Sequence, residues 1–267
     1  MTVPTPTMPG PTDLLHHGDI QVRGRIMPAS NHTFLVQLCA GDEAVPAVYK
    51  PVSGERPLWD FTDGSLAGRE YAAWLVSECS GWHIVPPTTL RDGPAGSGMV
   101  QLWQEPDEDE VPVDLVPEGA VPTGYLHVLD ALDQADRPVV LVHEDTAELR
   151  RMAVFDAVVN NTDRKGGHVL AMPDGHRYGV DHGVCFHSED KLRTVLWGWA
   201  GQPLDDEEVA GVERIVSGLS ADLGADLADL LTPLEVRALR ARCHRLLRQG
   251  VLPLPAGGWP VIPWPPF

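Results

Sequence analysis

The sequence predicts an α+β protein of two lobes that share a cleft: a small β-sheet with one helix, followed by a mainly helical lobe. The chain has 267 residues, which is enough for two such units. Apolar residues make up 43% of it and charged residues 22%, so a sizeable core can form. Short β-branched runs come first along the chain, and longer runs with helical periodicity follow them.

The first lobe begins with a Pro/Thr-rich segment, which predicts a flexible leader over residues 1–17. Between Ile20 and Val52, β-branched and aromatic residues form three short runs separated by turn formers, as antiparallel strands do. These runs read IQVRGRIM, HTFLVQLCA and AVPAVYKPV. We therefore expect an N-terminal lobe, built on a sheet, over residues 18–104.

One helix is expected in this lobe. Residues 66–80 carry an apolar stripe, and either Asp63 or Ser65 can cap the first turn. Two further strand-like runs, IVPPTTL and GMVQLW, flank the turn-rich sequence RDGPAGSG. The helix is thus predicted to lie between the third and the fourth strand.

Residues 105–267 are predicted to form the C-terminal lobe, which begins with the charged run EPDEDE, a typical solvated loop. Apolar periodicity predicts four helices, Tyr125–Ala135, Asp145–Asn160, Asp206–Leu219 and Thr232–Gln249. Between the second and the third helix, VLAM and RYGVDHGVCF predict a β-hairpin.

Two features lie near the end of the sequence. Arginines repeat along the last predicted helix, and a solvated basic face is favoured there over a patch that binds an anionic substrate or partner. The Pro-rich segment LPLPAGGWPVIPWPPF follows, and its Trp259, Trp264 and Phe267 are expected to pack back onto the body.

The net charge limits which partners the protein can bind, and the cysteine spacing indicates the cell compartment. The formal net charge of −18 argues against broad nucleic-acid binding, which needs a basic surface. No apolar run has the length of a membrane span, and the first residues lack the apolar core of a signal peptide. The four cysteines are far apart, without metal or redox spacing, so we expect reduced thiols and a cytoplasmic protein.

The residues that suggest chemistry surround the predicted hairpin. TDRKGGH contains Asp163 and, five residues later, His168, and the second strand ends at Asp181. Phosphoryl transfer needs a carboxylate at the nucleophile, a second one on the metal and a further metal ligand, all near the ATP phosphates. Any single aspartate here is more simply a loop cap. The combination of all three residues on a helix–loop–hairpin unit favours the chemical interpretation.

Both motifs resemble those of the protein-kinase-like superfamily, most closely its atypical phosphatidylinositol 3/4-kinase-like and HipA-like branches. TDRKGGHVL is similar to their catalytic loop, GVDHGVCF to their metal motif, and FDAVVNNTDR to the preceding helix-to-loop junction. The likeness runs from about Gly18 to Phe186 and extends to uncharacterised bacterial proteins labelled phosphatidylinositol-kinase-like. It implies a two-lobed protein-kinase-like fold and a kinase that uses ATP with Mg²⁺ or Mn²⁺.

The resemblance also implies roles for individual residues of the two motifs. Asp163 would orient or deprotonate the hydroxyl of the acceptor, and Lys165 would contact the γ-phosphate. His168 and Asp181 would hold the metal. Family members carry asparagine where this sequence has His168, and imidazole suits Mn²⁺ better than Mg²⁺.

The family's phosphate-binding lysine and its glutamate partner can be placed as well. Lys50 lies at the end of the third strand-like run, and Glu70 lies near the start of the following helix. The chain has only 3 lysines beside 17 arginines, so a lysine at this position is less easily dismissed as a surface residue. The resemblance implies that Lys50 binds the α- and β-phosphates while paired with Glu70.

Two further parts of the ATP site are less clear in the sequence. The glycine-rich phosphate loop is missing, and Ser30 and Asn31, with the backbone amides of MPASNHTF, would take its place. Residues 101–104 would form the inter-lobe hinge, with Gln101 and Trp103 next to the adenine.

Three hypotheses about function follow. The first is an ATP- and metal-dependent phosphotransferase that acts on an unidentified hydroxyl, in a small molecule or a protein. The second is a catalytically inactive nucleotide-binding pseudokinase or scaffold, which the unusual His168 and His182 keep open. The third keeps the fold but transfers AMP. A membrane lipid fits poorly as the acceptor because the chain is strongly acidic.

Overall fold

The computed structural model describes residues 10–27, 31–255 and 260–267 of the chain. Its first large element is an antiparallel sheet of five strands, β1 (Asp19–Arg25), β2 (Phe34–Ala40), β3 (Glu43–Pro51), β4 (Thr88–Gly93) and β5 (Gly96–Leu102). The strand order is β1-β2-β3-β5-β4. Tight turns join β2 to β3 and β4 to β5, and Gly41 and Gly96 adopt the positive φ angles that these turns need.

The flexible leader predicted for residues 1–17 is wrong in its second part. Residues Pro11–His17 form helix α1, with proline in its first turn. Leu14 and Leu15 are buried in one cluster with Val36 and Leu38 of the sheet. Burial of these two leucines stabilises the helix in spite of its Pro/Thr-rich surroundings. Residues 1–9 lie outside the described part.

Helix α2 (Leu66–Ser80) follows β3, as predicted. Of the two candidate caps, Ser65 accepts a hydrogen bond from the first turn, and the helix ends at Gly81 with a left-handed backbone. Ala73 and Val76 belong to the main hydrophobic core, which also contains the helices of the second half. One face of α2 therefore packs against the second half of the chain.

The helix predicted for residues 125–135 is wrong, because these residues belong to a second antiparallel sheet. Its strands are β6 (Val113–Pro117), β7 (Tyr125–Leu132) and β8 (Pro138–Glu144), in the order β6-β8-β7. Asp133 closes the turn between β7 and β8 by accepting hydrogen bonds from the amides of Ala135 and Arg137. The run PVVLVHE forms the buried central strand, and pairing with it overrides the helical periodicity of β7.

The remaining elements are α3 (Ala147–Val159), β9 (Val169–Ala171), β10 (Arg177–Gly179), α4 (Asp206–Gly218), α5 (Asp222–Ala228) and α6 (Pro233–Gln249). Thr146 caps α3. β9 and β10 form the predicted hairpin. The predicted α+β class is confirmed: an antiparallel sheet precedes a part that is largely helical, although that part begins with the second sheet.

Arg242 departs from the solvated face expected on α6. Its side chain is buried, and its guanidinium donates to the backbone oxygens of Val158 and His187. This arginine therefore ties α6 to the end of α3. Across the described ranges, no helix is both long and apolar enough to cross a membrane.

Candidate active site

Lys50, the last residue but one of strand β3, forms two ion pairs. Its Nζ donates to Oε1 of Glu70 on α2 at 2.7 Å and to Oδ1 of Asp181 at 2.9 Å. Glu70 is buried, whereas the side chain of Asp181 is 53% exposed and faces a cleft. The structure thus brings together three charged residues that are far apart in sequence, and both pairs involving Lys50 join different elements.

The charges in this cluster influence each other. Burial alone would lower the pKa of Lys50, but Asp181 and Glu70 outweigh it and raise that pKa above its usual value. The positive charge of Lys50 lowers the pKa of Asp181. Burial raises the pKa of Glu70 to about 7, against the opposing effect of Lys50. Near neutral pH, Lys50 is therefore protonated and Asp181 is ionised.

The loop after α3 is organised by a buried aspartate that the sequence analysis did not single out. Asp156 accepts hydrogen bonds from Nε and Nη2 of Arg164 and from Nδ2 of Asn161, at 2.9 to 3.0 Å. Both Asp156 and Arg164 are fully buried. Ion pairs in such surroundings persist only with good geometry and additional hydrogen bonds. Their shared network fixes the start of the loop.

Arg164 also connects this loop to the metal motif. Its Nη1 donates to the backbone oxygens of His168 and Val180, and its Nη2 donates to Nε2 of His182 at 2.7 Å. Burial lowers the pKa of His182 well below its usual value, so this ring is neutral and Nε2 can accept. The histidine that stands before Gly183 thus takes part in the network that joins the two motifs.

Asp163 lies on this loop, and its backbone amide donates to Oδ1 of Asn161 at 2.9 Å. Two cations flank its carboxylate: Lys165 Nζ is 3.7 Å from Oδ2, and an Arg193 amino group is 3.9 Å from Oδ1. Burial raises the pKa of Asp163, while Lys165 and Arg193 oppose the rise. A carboxylate with this environment has a higher proton affinity than a solvated one, as a group that accepts a proton from a hydroxyl requires.

His168 and Asp181 face each other across the mouth of the hairpin, with His168 Nε2 3.5 Å from Asp181 Oδ2. Burial lowers the pKa of His168 to about 4, so the ring is neutral at physiological pH. A neutral imidazole and an ionised carboxylate are donors that fit Mn²⁺ or Mg²⁺. Within the described ranges, no group of three or more His, Cys, Asp or Glu side chains is placed to hold a metal by itself. The remaining ligands would have to come from phosphate oxygens and water.

The backbone of Asp181 is left-handed, with φ +63°. This conformation is uncommon outside glycine, and Asp and Asn adopt it more readily than other residues do. Asp181 lies two residues after the end of strand β10, at the point where the chain turns toward Gly183. The turn presents the carboxylate of Asp181 to both Lys50 and His168.

A cleft of about 440 Å³ connects these residues. Its lining includes Asn31, Lys50, Glu70, Asp163 and Asp181. Oδ1 of Asn31 accepts a hydrogen bond from the backbone amide of Arg56, which orders the rim of the cleft. Ser30, the other residue expected to cradle phosphate, lies outside the described residues.

The predicted hinge, residues 101–104, lies at the end of strand β5. The side chain of Gln101 is buried within the sheet, where it donates to Oγ1 of Thr88. The backbone amide of Trp103 donates to Pro46, and that of Leu102 donates to Pro87. These two amides are therefore paired with backbone oxygens of the same sheet region, and the place of Gln101 and Trp103 next to an adenine stays a prediction.

The comparison with known proteins identifies the family. The chain is 54% identical over 263 residues to protein Rv2133c of Mycobacterium tuberculosis, and the match covers 95% of this chain and 94% of the relative. The chain belongs to the Rv2133c family. No protein-family model matches its sequence. Membership of the Rv2133c family leaves the activity to be argued from the cleft.

Two solved structures of kinases are similar in shape to this member of the Rv2133c family. The Golgi casein kinase is 15% identical, with a TM-score of 0.46, and the match covers 89% of this chain and 73% of that one. The Helicobacter pylori proinflammatory kinase CtkA is 12% identical, with a TM-score of 0.43 and coverages of 88% and 93%. Both TM-scores are below 0.5, so neither likeness carries an argument about this chain.

Proposed function

We propose that the chain is an ATP- and divalent-metal-dependent phosphotransferase with an atypical protein-kinase-like fold. The observation that carries this proposal is the contact of Lys50 with both Glu70 and Asp181, in a cleft that Asp163 also lines. A lysine paired with a helical glutamate and placed beside a metal-binding aspartate is the arrangement that phosphoryl transfer in kinases uses. The assignment to the phosphatidylinositol 3/4-kinase-like or HipA-like branch stays a prediction.

In this proposal each residue has a definite task. Lys50, held by Glu70, binds phosphate oxygens and neutralises charge that develops during transfer. Asp163 orients the acceptor hydroxyl and takes its proton as the hydroxyl oxygen bonds to the γ-phosphorus. The bond from the γ-phosphorus to the bridging oxygen breaks, and ADP leaves with that oxygen. Lys165, beside Asp163, contacts the transferred phosphoryl group.

Asp181 and His168 are the residues that would hold the metal. The ion would neutralise phosphate charge and orient the phosphate chain. Asp181 also contacts Lys50, so one carboxylate would serve both the metal and the phosphate-binding lysine. His168 supplies a neutral nitrogen donor, for which Mn²⁺ is better suited than Mg²⁺.

The acceptor in this proposal is a hydroxyl of a soluble small molecule or of a protein. A formal net charge of −18 disfavours approach to an anionic membrane surface. Asp163 lies with Lys165 and Arg193 on both sides, so the immediate surroundings of the acceptor hydroxyl are less acidic than the rest of the chain.

The test compares Asp163→Asn with Lys50→Ala. Asp163 acts mainly in the transition state, so Asp163→Asn should keep ATP affinity and lower transfer by orders of magnitude, about 10²-fold or more. Lys50 contacts phosphate before and during transfer, so Lys50→Ala should weaken ATP binding about tenfold or more and lower transfer as well. Equal transfer by wild type and Asp163→Asn would refute the proposed mechanism.

A second candidate is an inactive nucleotide-binding protein. Two observations favour the inactive binder. His168 stands where the resembling protein-kinase-like families carry asparagine, and the described part of the chain has no group of three side chains placed to hold a metal. Titration of ATP with Mg²⁺ and with Mn²⁺, followed by thermal stability and by ADP release, separates the two candidates. Stabilisation without ADP release or transfer of label supports the inactive binder, and mass spectrometry of the product distinguishes phosphate transfer from AMP transfer.

A further inference from the structure

Residues 260–267 cross the loop that carries Asp163 and Lys165. The backbone amide of Gly166 donates to the backbone oxygen of Pro266 at 2.8 Å. The ring of Phe267 lies directly against Gly166, and a Cβ added to this glycine would overlap the ring. Residues 260–267 therefore contact Gly166 in two ways, by a hydrogen bond to its amide and by packing of a ring on its Cα.

The same segment supports the neighbouring backbone. The oxygen of Val261 accepts hydrogen bonds from the amide of Thr194 at 3.0 Å and from Nε1 of Trp197 at 2.9 Å. Thr194 in turn forms a parallel bridge with Arg164, next to Asp163. The loop, residues 193–195 and residues 260–267 thus lie side by side, and the last of these contacts both of the others.

The loop needs such support because of its own sequence. Gly166 and Gly167 are adjacent, and glycine gives the backbone more conformational freedom than any other residue. These two glycines lie between Asp163, the proposed base, and His168, the proposed metal ligand. Freedom at this point would vary the distance between the two groups, and small errors of placement cost large factors in rate.

We propose that residues 260–267 are a positioning element for the catalytic loop, which act through the Pro266–Gly166 hydrogen bond and the packing of Phe267 on Gly166. The inference rests on the proposed function for its effect on transfer, but its effect on loop order does not depend on activity. None of residues 260–267 lines the cleft that contains Lys50 and Glu70, so ATP binding on that side should be independent of the positioning element.

The two adjacent glycines provide a matched test. Gly166→Ala places a methyl group against the ring of Phe267, whereas Gly167→Ala places one where nothing lies within 4 Å. Neither glycine has a positive φ, so both variants fit the backbone. In the double variant Gly166→Ala/Phe267→Ala the ring is gone, so the new methyl group has room.

Amide hydrogen exchange of residues 163–168 and the transfer rate are measured for all three variants. Gly166→Ala should raise exchange at the Gly166 amide about tenfold and lower kcat by a similar factor, with ATP affinity changed less than about twofold. Gly167→Ala should match wild type in exchange. The double variant should regain part of the protection, because Pro266 can return to its hydrogen bond while the packing of Phe267 stays lost.

The outcomes separate this inference from the proposed function. Equal exchange in Gly166→Ala and Gly167→Ala overturns the positioning role. A fall in ATP affinity equal to the fall in kcat also overturns it, since that indicates general damage. If wild type transfers no phosphate while the exchange pattern is as expected, the positioning of the loop stands and the phosphotransferase proposal fails.

Discussion

The two sides of the cleft are built differently. On the sheet side, Lys50 and Glu70 project from a strand and a helix, and they are joined by an ion pair that faces the cleft. On the loop side, Asp163 and Asp181 lie on irregular backbone that depends on the buried pair of Asp156 and Arg164. Regular elements position the first side, whereas a buried polar network positions the second. Substitutions on the loop side should therefore affect stability, and those on the sheet side should affect binding.

The largest effect is expected for Asp156→Ala. This variant leaves the guanidinium of Arg164 buried without its partner and should lower the free energy of unfolding by about 3–5 kcal/mol. Urea denaturation measures the change. As a control, Asp190→Ala removes an exposed ion pair with Arg245 and should cost less than about 1 kcal/mol. Similar losses in both variants would contradict the central place of Asp156.

Glu70→Gln should change binding instead of stability. Burial of the Glu70 carboxylate opposes its ionised form, and Lys50 keeps Asp181 as a partner, so the free energy of unfolding should change by less than about 1 kcal/mol. Lys50 loses one of its two anchors, so ATP affinity should fall about tenfold. Isothermal titration and urea denaturation test the two halves of this expectation. A stability loss as large as that of Asp156→Ala would erase the distinction between the two sides.

Helix caps offer a smaller test on both sides. Ser65 caps α2 and Thr146 caps α3, each through its side-chain oxygen, and replacement of either by alanine should cost about 1 kcal/mol. Thr146 also donates to Glu144, so Thr146→Ala should cost more than Ser65→Ala. Thermal denaturation of the two variants measures the difference. The reverse order would show that the hydrogen bond to Glu144 adds nothing.

The smallest effect is the contribution of His143, in the second half of the chain, to the dependence of stability on pH. His143 is buried, and its Nε2 accepts from the amide of Gly198 while Nδ1 donates to the oxygen of Glu144. Burial lowers the pKa of His143, so its stabilising contribution is complete above its unfolded-state value of about 6.5 and decreases as the pH falls below it. His143→Gln should therefore lose less stability than wild type between pH 7 and pH 5. An identical decrease in both proteins would assign the acid effect to other groups.

The candidate site residues were easier to single out from the sequence than the buried residues that position them. Lys50, Glu70, Asp163 and Asp181 could be named because short motifs and a rare lysine mark them. Asp156 could not, since one aspartate in an apolar helix gives no sign of the network that forms around it in three dimensions. The available signal was only its nearness in FDAVVNNTDR to Asn161 and Arg164, which are five and eight residues further along the chain.

The wrong predictions have physical reasons that lie outside the local sequence. Strand β7 has helical periodicity, but the buried run of β8 and the turn at Asp133 pair it into a sheet. Helix α1 forms because the sheet offers a surface that buries Leu14 and Leu15. In each case a tertiary contact decides between local alternatives.

The left-handed backbone of Asp181 limits which residues evolution or an engineer can place there. Asparagine and glycine suit this conformation, whereas alanine adds strain and a β-branched residue adds more. A single change to asparagine would thus remove the charge that meets Lys50 and leave the chain path unchanged. For the proposed phosphotransferase, a single conservative substitution at this position would be enough to leave an inactive nucleotide binder, and the backbone favours that substitution over most others.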